Sequence, residues 1–286
     1  PLNQFVAITG VSGSGKSTLI HEVIFKALRK ILHREKGPVH AYDSFKGFHH
    51  VRDVVLMDQK PIGKSSRSNP ATYLKIWDDI RLILANTPRA LKQNFTPSHF
   101  SFNVDSGRCS VCKGEGVIEV EMHFMANVTI PCESCDGKRF KSEVLEVKYK
   151  DHNVFDILNL TIDNALGIFE DHTKISGRLR TLQTVGLGYL TLGQGANTLS
   201  GGESQRIKIA AALDDPMFPK QDVVYFFDEP TTGLHQSDVS TLMNALNQLV
   251  ESGNSVVCIE HNLDVIAQSD TVIDLGPGGG EFGGEL

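Results

Sequence analysis

The chain has 286 residues, of which 40% are hydrophobic and 22% charged, and its formal net charge is −6. This length allows one large domain or two smaller ones, and the composition excludes an intrinsically disordered chain. No apolar run reaches the roughly 18 residues of a membrane span, and the N-terminal sequence lacks a secretory signal, so we expect a cytoplasmic protein without membrane contact. The acidic net charge argues only mildly against nucleic acid, because local basic clusters remain.

The first part of the chain alternates apolar strands with loops and helices. Residues 5–9 predict a buried strand, and a glycine-rich loop separates it from a helix over residues 17–32 with apolar side chains at helical spacing. A second strand covers residues 51–58. A polar, basic loop over residues 60–72 follows, and residues 73–85 again have helical periodicity.

The second part contains a compact cysteine-rich segment and then a return to strands and helices. Residues 107–140 combine glycines and cysteines with apolar–polar alternation, which predicts a small metal-bound hairpin. Helices are predicted over residues 154–158, 162–169, 173–185 and 239–251, and strands over 223–227 and 255–259. This strand–helix–strand order predicts an α/β fold with a parallel sheet.

A phosphate-binding motif follows the first predicted strand. Residues 10–17 read GVSGSGKS, match GxxxxGK[ST] fully and open a helix, which argues against a chance glycine-rich turn. The backbone N–H groups and the helix N-terminus suit phosphate oxygens; Lys16 would reach the β- and γ-phosphates of ATP, and Ser17 would bind Mg²⁺. The predicted nucleotide-binding residues here are Gly10, Ser12, Gly13, Ser14, Gly15, Lys16, Ser17 and Thr18.

Four polar residues at predicted strand ends complete a candidate hydrolytic site. Asp228 and Glu229 end an apolar run; Asp228 would orient Mg²⁺, and Glu229 would position or deprotonate the attacking water. Gln59 would sense Mg²⁺ and water, and His261 would contact the γ-phosphate. We therefore predict catalytic roles for Glu229, His261 and Gln59, and a Mg²⁺ site formed by Ser17, Gln59 and Asp228.

The most diagnostic string is LSGGESQR, which begins at Leu199. Ser200, Gly201 and Gly202 would offer backbone donors at a helix start, where a simple helix cap is the alternative. They would hold a γ-phosphate only if a second unit presents it. We therefore predict a dimer with another half or another copy of this type.

The cysteines at positions 109, 112, 132 and 135 form two CxxC pairs separated by 19 residues. Four thiolates at this spacing predict a tetrahedral zinc site, although an iron–sulfur cluster remains an alternative and His123 is a spare ligand. Neighbouring cations would contact nucleic-acid phosphates unless they only form a solvated charged face. The candidate DNA-contact residues are Lys113, Lys138, Arg139 and Lys141.

The order of these motifs resembles that of ABC ATPases. Over the whole chain, strings such as GRCSVCKGEGVIEVEMHF, PCESCDGKRF, LGQGANTLSGGESQRIKIA and DEPTTGLH resemble the second half of the UvrA family, the damage-sensing excinuclease ABC proteins of bacterial nucleotide excision repair. The resemblance implies an ABC-type P-loop ATPase fold with a helical signature subdomain and a four-cysteine zinc hairpin. It predicts an ATP-binding part at 1–60 and 201–286, an insertion at 61–200 and a zinc module at about 105–142.

The resemblance also implies a function. Members of the family use ATP to probe duplex DNA, recognise distorted duplex and load a helicase-like excision repair protein of the same complex, and they do not cut DNA themselves. The hairpin over residues 117–130 would lie near DNA. Because family members carry two ABC halves, we expect this chain to be part of a longer protein. The alternatives are the ATPase of a transporter, a drug self-resistance protein, and a zinc-knuckle module similar to the cysteine-rich region of Hsp40 chaperones.

Overall fold

A computed structural model gives the arrangement of the chain in two compact units. The first, the sheet unit, comprises Pro1–Lys60, Thr184–Gly186 and Gly201–Leu286; the second, the insert unit, comprises Pro61–Gln183 and Leu187–Ser200. The structure describes residues 1–63, 65–120, 122, 128–214, 221–234 and 236–286, without the side chain of Ser237.

Strands and helices alternate along the described part of the chain. The strands are β1 Phe5–Gly10, β2 Asp53–Met57, β3 Val117–Val120, β4 Val128–Pro131, β5 Lys148–Tyr149, β6 His152–Asn153, β7 Val223–Asp228, β8 Ser255–Ile259 and β9 Thr271–Leu275. The α-helices are α1 Lys26–His33, α2 Pro70–Tyr73, α3 Ile76–Ala85, α4 Pro88–Lys92, α5 Ser142–Leu145, α6 Val154–Asn159, α7 Ile162–Ile168, α8 Thr173–Thr184, α9 Gly201–Asp214, α10 Gln236–Glu251 and α11 Leu263–Ile266.

The sheet unit is built on a parallel sheet in which the described strands follow the order β2-β7-β8-β1-β9. Its central strands are continuous apolar runs because both faces are covered, and the side chains from Val223 to Phe227 are all buried. Parallel pairing places the carboxyl ends of β2, β7 and β8 at one edge, with Asp228 beside Ile259. The predicted α/β class with a parallel sheet is therefore confirmed.

Strand β9 was not predicted from the sequence. It pairs with β1 at the edge of the sheet, where Gly10 lies opposite Leu275. Its side chains alternate between half-buried and exposed, apart from buried Leu275, so the segment lacks the long apolar run that marks the central strands.

The helix predicted over residues 17–32 forms with a change of geometry inside it. Thr18–Phe25 is a π-helical segment, and it continues directly into α1. Ile20 and Leu28 lie on its buried face and pack with Ile8, Phe226 and Ile259 of the sheet. The helix ends where Arg34 takes a left-handed backbone with φ 56°.

The helix predicted over residues 73–85 begins only at Ile76, and a separate short helix, α2, covers Pro70–Tyr73 at the end of the predicted loop. Asn69 caps α2 by accepting a hydrogen bond from the Thr72 amide at 2.9 Å, and Pro70 occupies the first turn, where its missing N–H costs nothing. Lys75 then adopts φ 58°, which ends α2 and lets α3 begin at Ile76. Local capping therefore overrides the continuous apolar periodicity.

The insert unit has a helical core and a small antiparallel hairpin, β3–β4. The helical part is closed by large buried side chains, and the Trp77 indole donates a hydrogen bond to the Phe100 carbonyl at 3.2 Å. Asn153 and Thr161 cap α6 and α7. Across both units, the described residues form no helix with the length and apolar character needed to cross a bilayer.

Candidate functional site

The phosphate loop, residues 10–17, connects β1 to the first helical segment as the motif requires. Lys16 is almost fully buried, and its ammonium donates to the carbonyls of Gly10 at 2.9 Å and Val11 at 2.8 Å. These bonds hold the cation inside the loop. The amide of Leu19 returns to the Gly15 carbonyl at 2.8 Å, so the helix begins directly after the loop. The loop therefore places a buried cation and a helix N-terminus together, which suits a phosphate group.

Asp228 lies at the end of β7 and faces the helix that follows the phosphate loop. Its Oδ2 atom is 3.3 Å from Nε2 of His21. Burial raises the pKa of Asp228, while His21 opposes that rise and the carboxylates of Glu229 and Glu260 add to it. His21 was not among the residues predicted from sequence, because a lone histidine on an amphipathic helix gives no local signal.

Glu229 and His261, which the sequence placed at two strand ends, are neighbours. Glu229 Oε1 lies 3.7 Å from His261 Nε2, and both side chains are about half exposed. Glu229 has φ 45°, its amide donates to the Ile259 carbonyl at 3.0 Å, and the Thr232 hydroxyl donates to its carboxylate at 3.2 Å. The structure thus brings a carboxylate and an imidazole together at an accessible edge of the sheet, where water can reach both.

A buried carboxylate links the loops that carry these two side chains. Glu260 is 2% exposed. Its Oε1 accepts from the amide and hydroxyl of Thr231 at 2.9 and 2.7 Å, and its Oε2 accepts from the amides of His261 and Asn262 at 3.0 and 3.2 Å. Burying a carboxylate is costly unless donors compensate it, and here four donors do so. Glu260 therefore fixes the loop after β7 to the loop after β8.

Gln59 follows β2 and contacts the same edge of the sheet. Its side-chain amide donates to the carbonyls of Asp228 at 3.4 Å and Glu229 at 3.3 Å. Gly201, at the start of α9, packs closely against it: a Cβ added there would lie 3.0 Å from Gln59 Oε1. Gln59 is therefore positioned between the acidic end of β7 and the first turn of α9.

Two side chains of α9 hold the backbone around Gln59, and neither was predicted from sequence. The amide of Gln205, which is fully buried, donates to the Met57 carbonyl at 2.5 Å. The ammonium of Lys208 donates to the carbonyls of Asp58 at 3.0 Å and Lys60 at 2.8 Å and pairs with the Asp58 carboxylate. Burial opposes ionisation of Asp58, but the bonds to Lys208 lower its pKa overall.

The remaining signature residues lie at or beside the start of α9. Ser200 immediately precedes the helix, and Gly201 and Gly202 form its first turn. A Cβ added at Gly202 would lie 3.3 Å from the Thr232 carbonyl, so this turn passes close to the loop after β7. The contact of Ser200, Gly201 and Gly202 with a nucleotide on a second unit stays a prediction.

The four cysteines of the CxxC pairs form a separate cluster in the insert unit. All four are buried, and their Sγ atoms lie within 4.8 Å of one another. The separation of 3.7 Å between Cys112 and Cys135 matches the spacing of about 3.8 Å expected around a tetrahedral metal with bonds of about 2.3 Å to sulfur. Among the described residues, this donor set fits one metal ion that prefers sulfur ligands. His123 lies outside the described residues.

The surroundings of the cluster shift the pKa values of its thiols in different directions. Burial alone disfavours the thiolate of Cys109, but N–H groups of Cys112 and Val111 outweigh it and lower the pKa of Cys109 to about 7. Burial raises the pKa of Cys112, and burial with the neighbouring thiols raises that of Cys135 to about 12. The Cys109 thiolate therefore forms readily near neutral pH, and a bound cation would be needed to ionise Cys112 and Cys135.

The four cations predicted to contact DNA have different surroundings. Lys113 is exposed, Lys138 pairs with Asp136 at 3.0 Å, and Lys141 donates to the Ser106 carbonyl at 3.3 Å. Arg139 donates to carbonyls of Ser66 and Gly193 at 3.4 and 3.5 Å, and burial lowers its pKa. Arg139 thus faces the body of the insert unit.

Glu115, between the two cysteine pairs, also ties the cysteine-rich segment to the insert unit. Its carboxylate lies 2.8 Å from Nε of Arg67 and accepts a hydrogen bond from the Ser66 hydroxyl. No sequence pattern indicated this role, because Arg67 and Ser66 are far away along the chain. Glu115 and Arg139, which carry opposite charges, therefore both tie the cysteine-rich segment to residues 66–67 of the insert unit.

Comparisons with known proteins extend over the whole chain. No family model matches it. The chain is 50% identical over 286 residues to UvrABC system protein A of Staphylococcus epidermidis and 49% identical to that of Bacillus subtilis, and it spans 30% of the length of each. It matches the crystal structure of UvrA2 from Deinococcus radiodurans with TM-score 0.91 and 46% identity, covering 34% of that chain. The resemblance predicted from the motifs is therefore confirmed.

Proposed function

We propose that the chain is the ATP-hydrolysing, DNA-binding part of a nucleotide excision repair protein, which recognises distorted duplex DNA and loads a helicase-like partner of the same repair complex. The observation that carries the proposal is the convergence of Gln59, Asp228, Glu229 and His261 at one edge of the sheet that also carries the phosphate loop. Similarity of the whole chain to about a third of UvrABC system protein A supports repair over the transporter and drug-resistance alternatives.

In this proposal, the residues of the sheet unit divide the work of hydrolysis. The phosphate loop surrounds the triphosphate, and Lys16 exchanges its bonds to the loop carbonyls for bonds to phosphate oxygens. Ser17, Gln59 and Asp228 would hold Mg²⁺, which supplies charge neutralisation on the phosphates. Glu229 orients the attacking water and accepts its proton, and His261 donates a hydrogen bond to the γ-phosphate.

We also propose that this chain faces another half or another copy of the same type. The backbone donors of Ser200, Gly201 and Gly202 would reach the γ-phosphate on the other half or copy, so ATP would close the pair and hydrolysis would release it. The position of Gly201 against Gln59 places one turn of α9 beside the chain's own catalytic edge. Through that contact, binding of the nucleotide on the other half or copy would be coupled to catalysis at this chain's own site.

The four cysteines would hold Zn²⁺ and so fix the hairpin β3–β4 for contact with DNA. Lys113 is the exposed cation of the four candidates and best placed for a phosphate, whereas the bonds of Arg139 favour an anchoring role. A four-thiolate metal site requires reduced cysteines, which favours the cytoplasm.

The test compares duplexes with and without a bulky lesion. The zinc-loaded chain should bind the lesion-bearing duplex more tightly in the presence of ATP, measured by fluorescence anisotropy at several salt concentrations. Equal weak binding to both duplexes at every salt concentration would contradict damage recognition. ATP hydrolysis without DNA or zinc binding would instead favour a transporter ATPase.

A further inference from the structure

The segment after β9, residues 276–285, forms a closed loop that we call the glycine brace. Gly276 and Glu285 exchange both backbone hydrogen bonds at 3.0 Å, and Gly278 donates to the Phe282 carbonyl at 2.9 Å. Because β9 pairs with β1 so that Leu275 lies opposite Gly10, the brace begins directly beside the phosphate loop.

The brace contacts the phosphate loop through backbone atoms. The Gly280 amide donates to the Gly13 carbonyl at 3.1 Å. A Cβ added at Gly279 would lie 2.8 Å from the Ser12 carbonyl oxygen, and one added at Gly283 would lie 3.0 Å from Ser14 Cα. The first distance is too short for a side chain, and the second would require the backbone at Ser14 to shift, so glycine at both positions permits the close approach.

These contacts act on the part of the loop that would hold phosphate. The peptide between Gly13 and Ser14 is fixed at both ends, because its carbonyl accepts from Gly280 and its N–H donates to Val11 O at 3.2 Å. A planar peptide cannot turn its N–H without moving its carbonyl. The brace therefore constrains the orientation of a backbone donor in the phosphate loop.

The brace contributes little to the apolar core of the sheet unit. Phe282, its aromatic residue, is 77% exposed, and Glu285 is also exposed. A change at the brace should then affect the phosphate loop more than the free energy of unfolding of the sheet unit.

From these contacts we infer that the glycine brace positions the phosphate loop for nucleotide binding. It holds the backbone of Ser12, Gly13 and Ser14 in the conformation that receives a phosphate group. The inference rests on the proposed function, since it assumes that the loop binds ATP. The brace itself needs no contact with the nucleotide. Its effect is exerted wholly through the phosphate loop, in the nucleotide-free chain and the bound chain alike.

The experiment compares Gly279→Ala and Gly283→Ala with Gly276→Ala, whose Cβ would meet only Gly278 N at 4.0 Å. We expect the first two variants to weaken Mg²⁺·ADP binding about tenfold and to raise KM for ATP with a smaller change in kcat, since uniform binding is lost. Gly276→Ala should bind like the unchanged chain. Thermal melting without nucleotide should be similar for all three variants.

Equal affinity of Gly279→Ala and Gly276→Ala would overturn the inference. If the substitutions unfold the chain, hydrogen exchange on the unchanged chain decides: ADP should protect the amides of residues 279–283, because coupling between the loop and the brace is reciprocal. Unaltered exchange there, with ADP bound, would equally contradict it. Absence of ADP binding by the unchanged chain is a different result and would count against the proposed function.

Discussion

The sheet unit and the cysteine-rich segment of the insert unit, residues 107–140, which we call the cysteine module, hold their sites in opposite ways. In the sheet unit, continuous apolar strands are buried, and the polar residues of the site lie at the ends of those strands. In the cysteine module, the strands β3 and β4 are largely exposed, and Ile118 is the partly buried apolar side chain that packs on the four cysteines in the described part of the chain. One site depends on an apolar core, and the other on four clustered thiols that fit a metal ion.

The largest expected effect tests the chemistry of the sheet unit alone. Glu229→Gln keeps the size of the side chain but removes the base, so kcat for ATP hydrolysis should fall about 10³-fold while Mg²⁺·ATP binding persists. Single-turnover hydrolysis measures the loss of rate, and light scattering detects the expected ATP-bound dimer. Normal hydrolysis by this variant would show that Glu229 is not the base. Metal content of the module should not change.

The next prediction separates the two kinds of stabilisation. Cys109→Ser removes one of the four proposed zinc ligands, so we expect zinc binding by the module and the order of the hairpin β3–β4 to be lost. Mg²⁺·ADP binding should stay within about twofold, because the sheet unit keeps its own core. Elemental analysis measures the zinc content, and NMR of the backbone amides measures the order of the hairpin. The matched control is Cys258→Ala, at a fully buried position of strand β8: it should destabilise the sheet unit by about 1 kcal/mol and leave the metal content unchanged. Loss of nucleotide binding in Cys109→Ser would break the comparison.

The smallest effect concerns the contacts that surround Gln59. Lys208→Met removes the bonds to the Asp58 and Lys60 carbonyls but preserves the apolar stem, so Gln59 should be less well positioned and kcat should fall about tenfold. Lys208→Arg keeps the charge and should recover part of the rate. Steady-state hydrolysis over a range of Mg²⁺ concentrations gives the measurement. Equal rates for Lys208→Met and the unchanged chain would mean that α9 does not position Gln59.

Features could be predicted from the sequence where the residues that form them are close together along the chain, and they were missed where those residues are far apart. The phosphate loop, the acidic end of β7 and the CxxC pairs are each local strings whose chemistry requires neighbouring residues, and their positions could be predicted directly. Lys208 and Asp58 lie 150 positions apart, and no periodicity relates them. The same holds for the brace, which meets the phosphate loop only because β9 pairs with β1.

Other departures arose where local geometry competes with pattern. Strand β9 was missed because Asp274 interrupts its apolar residues, so it lacks the continuous apolar run of the central strands. The helix predicted over residues 73–85 begins three residues later than expected, because apolar spacing cannot reveal the left-handed backbone of Lys75 that precedes it. Arg139 was assigned to DNA from its charge alone, and its hydrogen bonds to Ser66 and Gly193 depend on the packing of the insert unit. Its DNA role stays a prediction.

The buried carboxylate of Glu260 has a consequence for how the catalytic edge responds to change. One of its oxygens accepts from Thr231 and the other from the amides of His261 and Asn262. A displacement of one loop alone would therefore break hydrogen bonds of Glu260, so these bonds couple the positions of the two loops. Replacing Thr231 would shift His261 without touching it, and a small molecule wedged beside one loop would inhibit the residue on its neighbour.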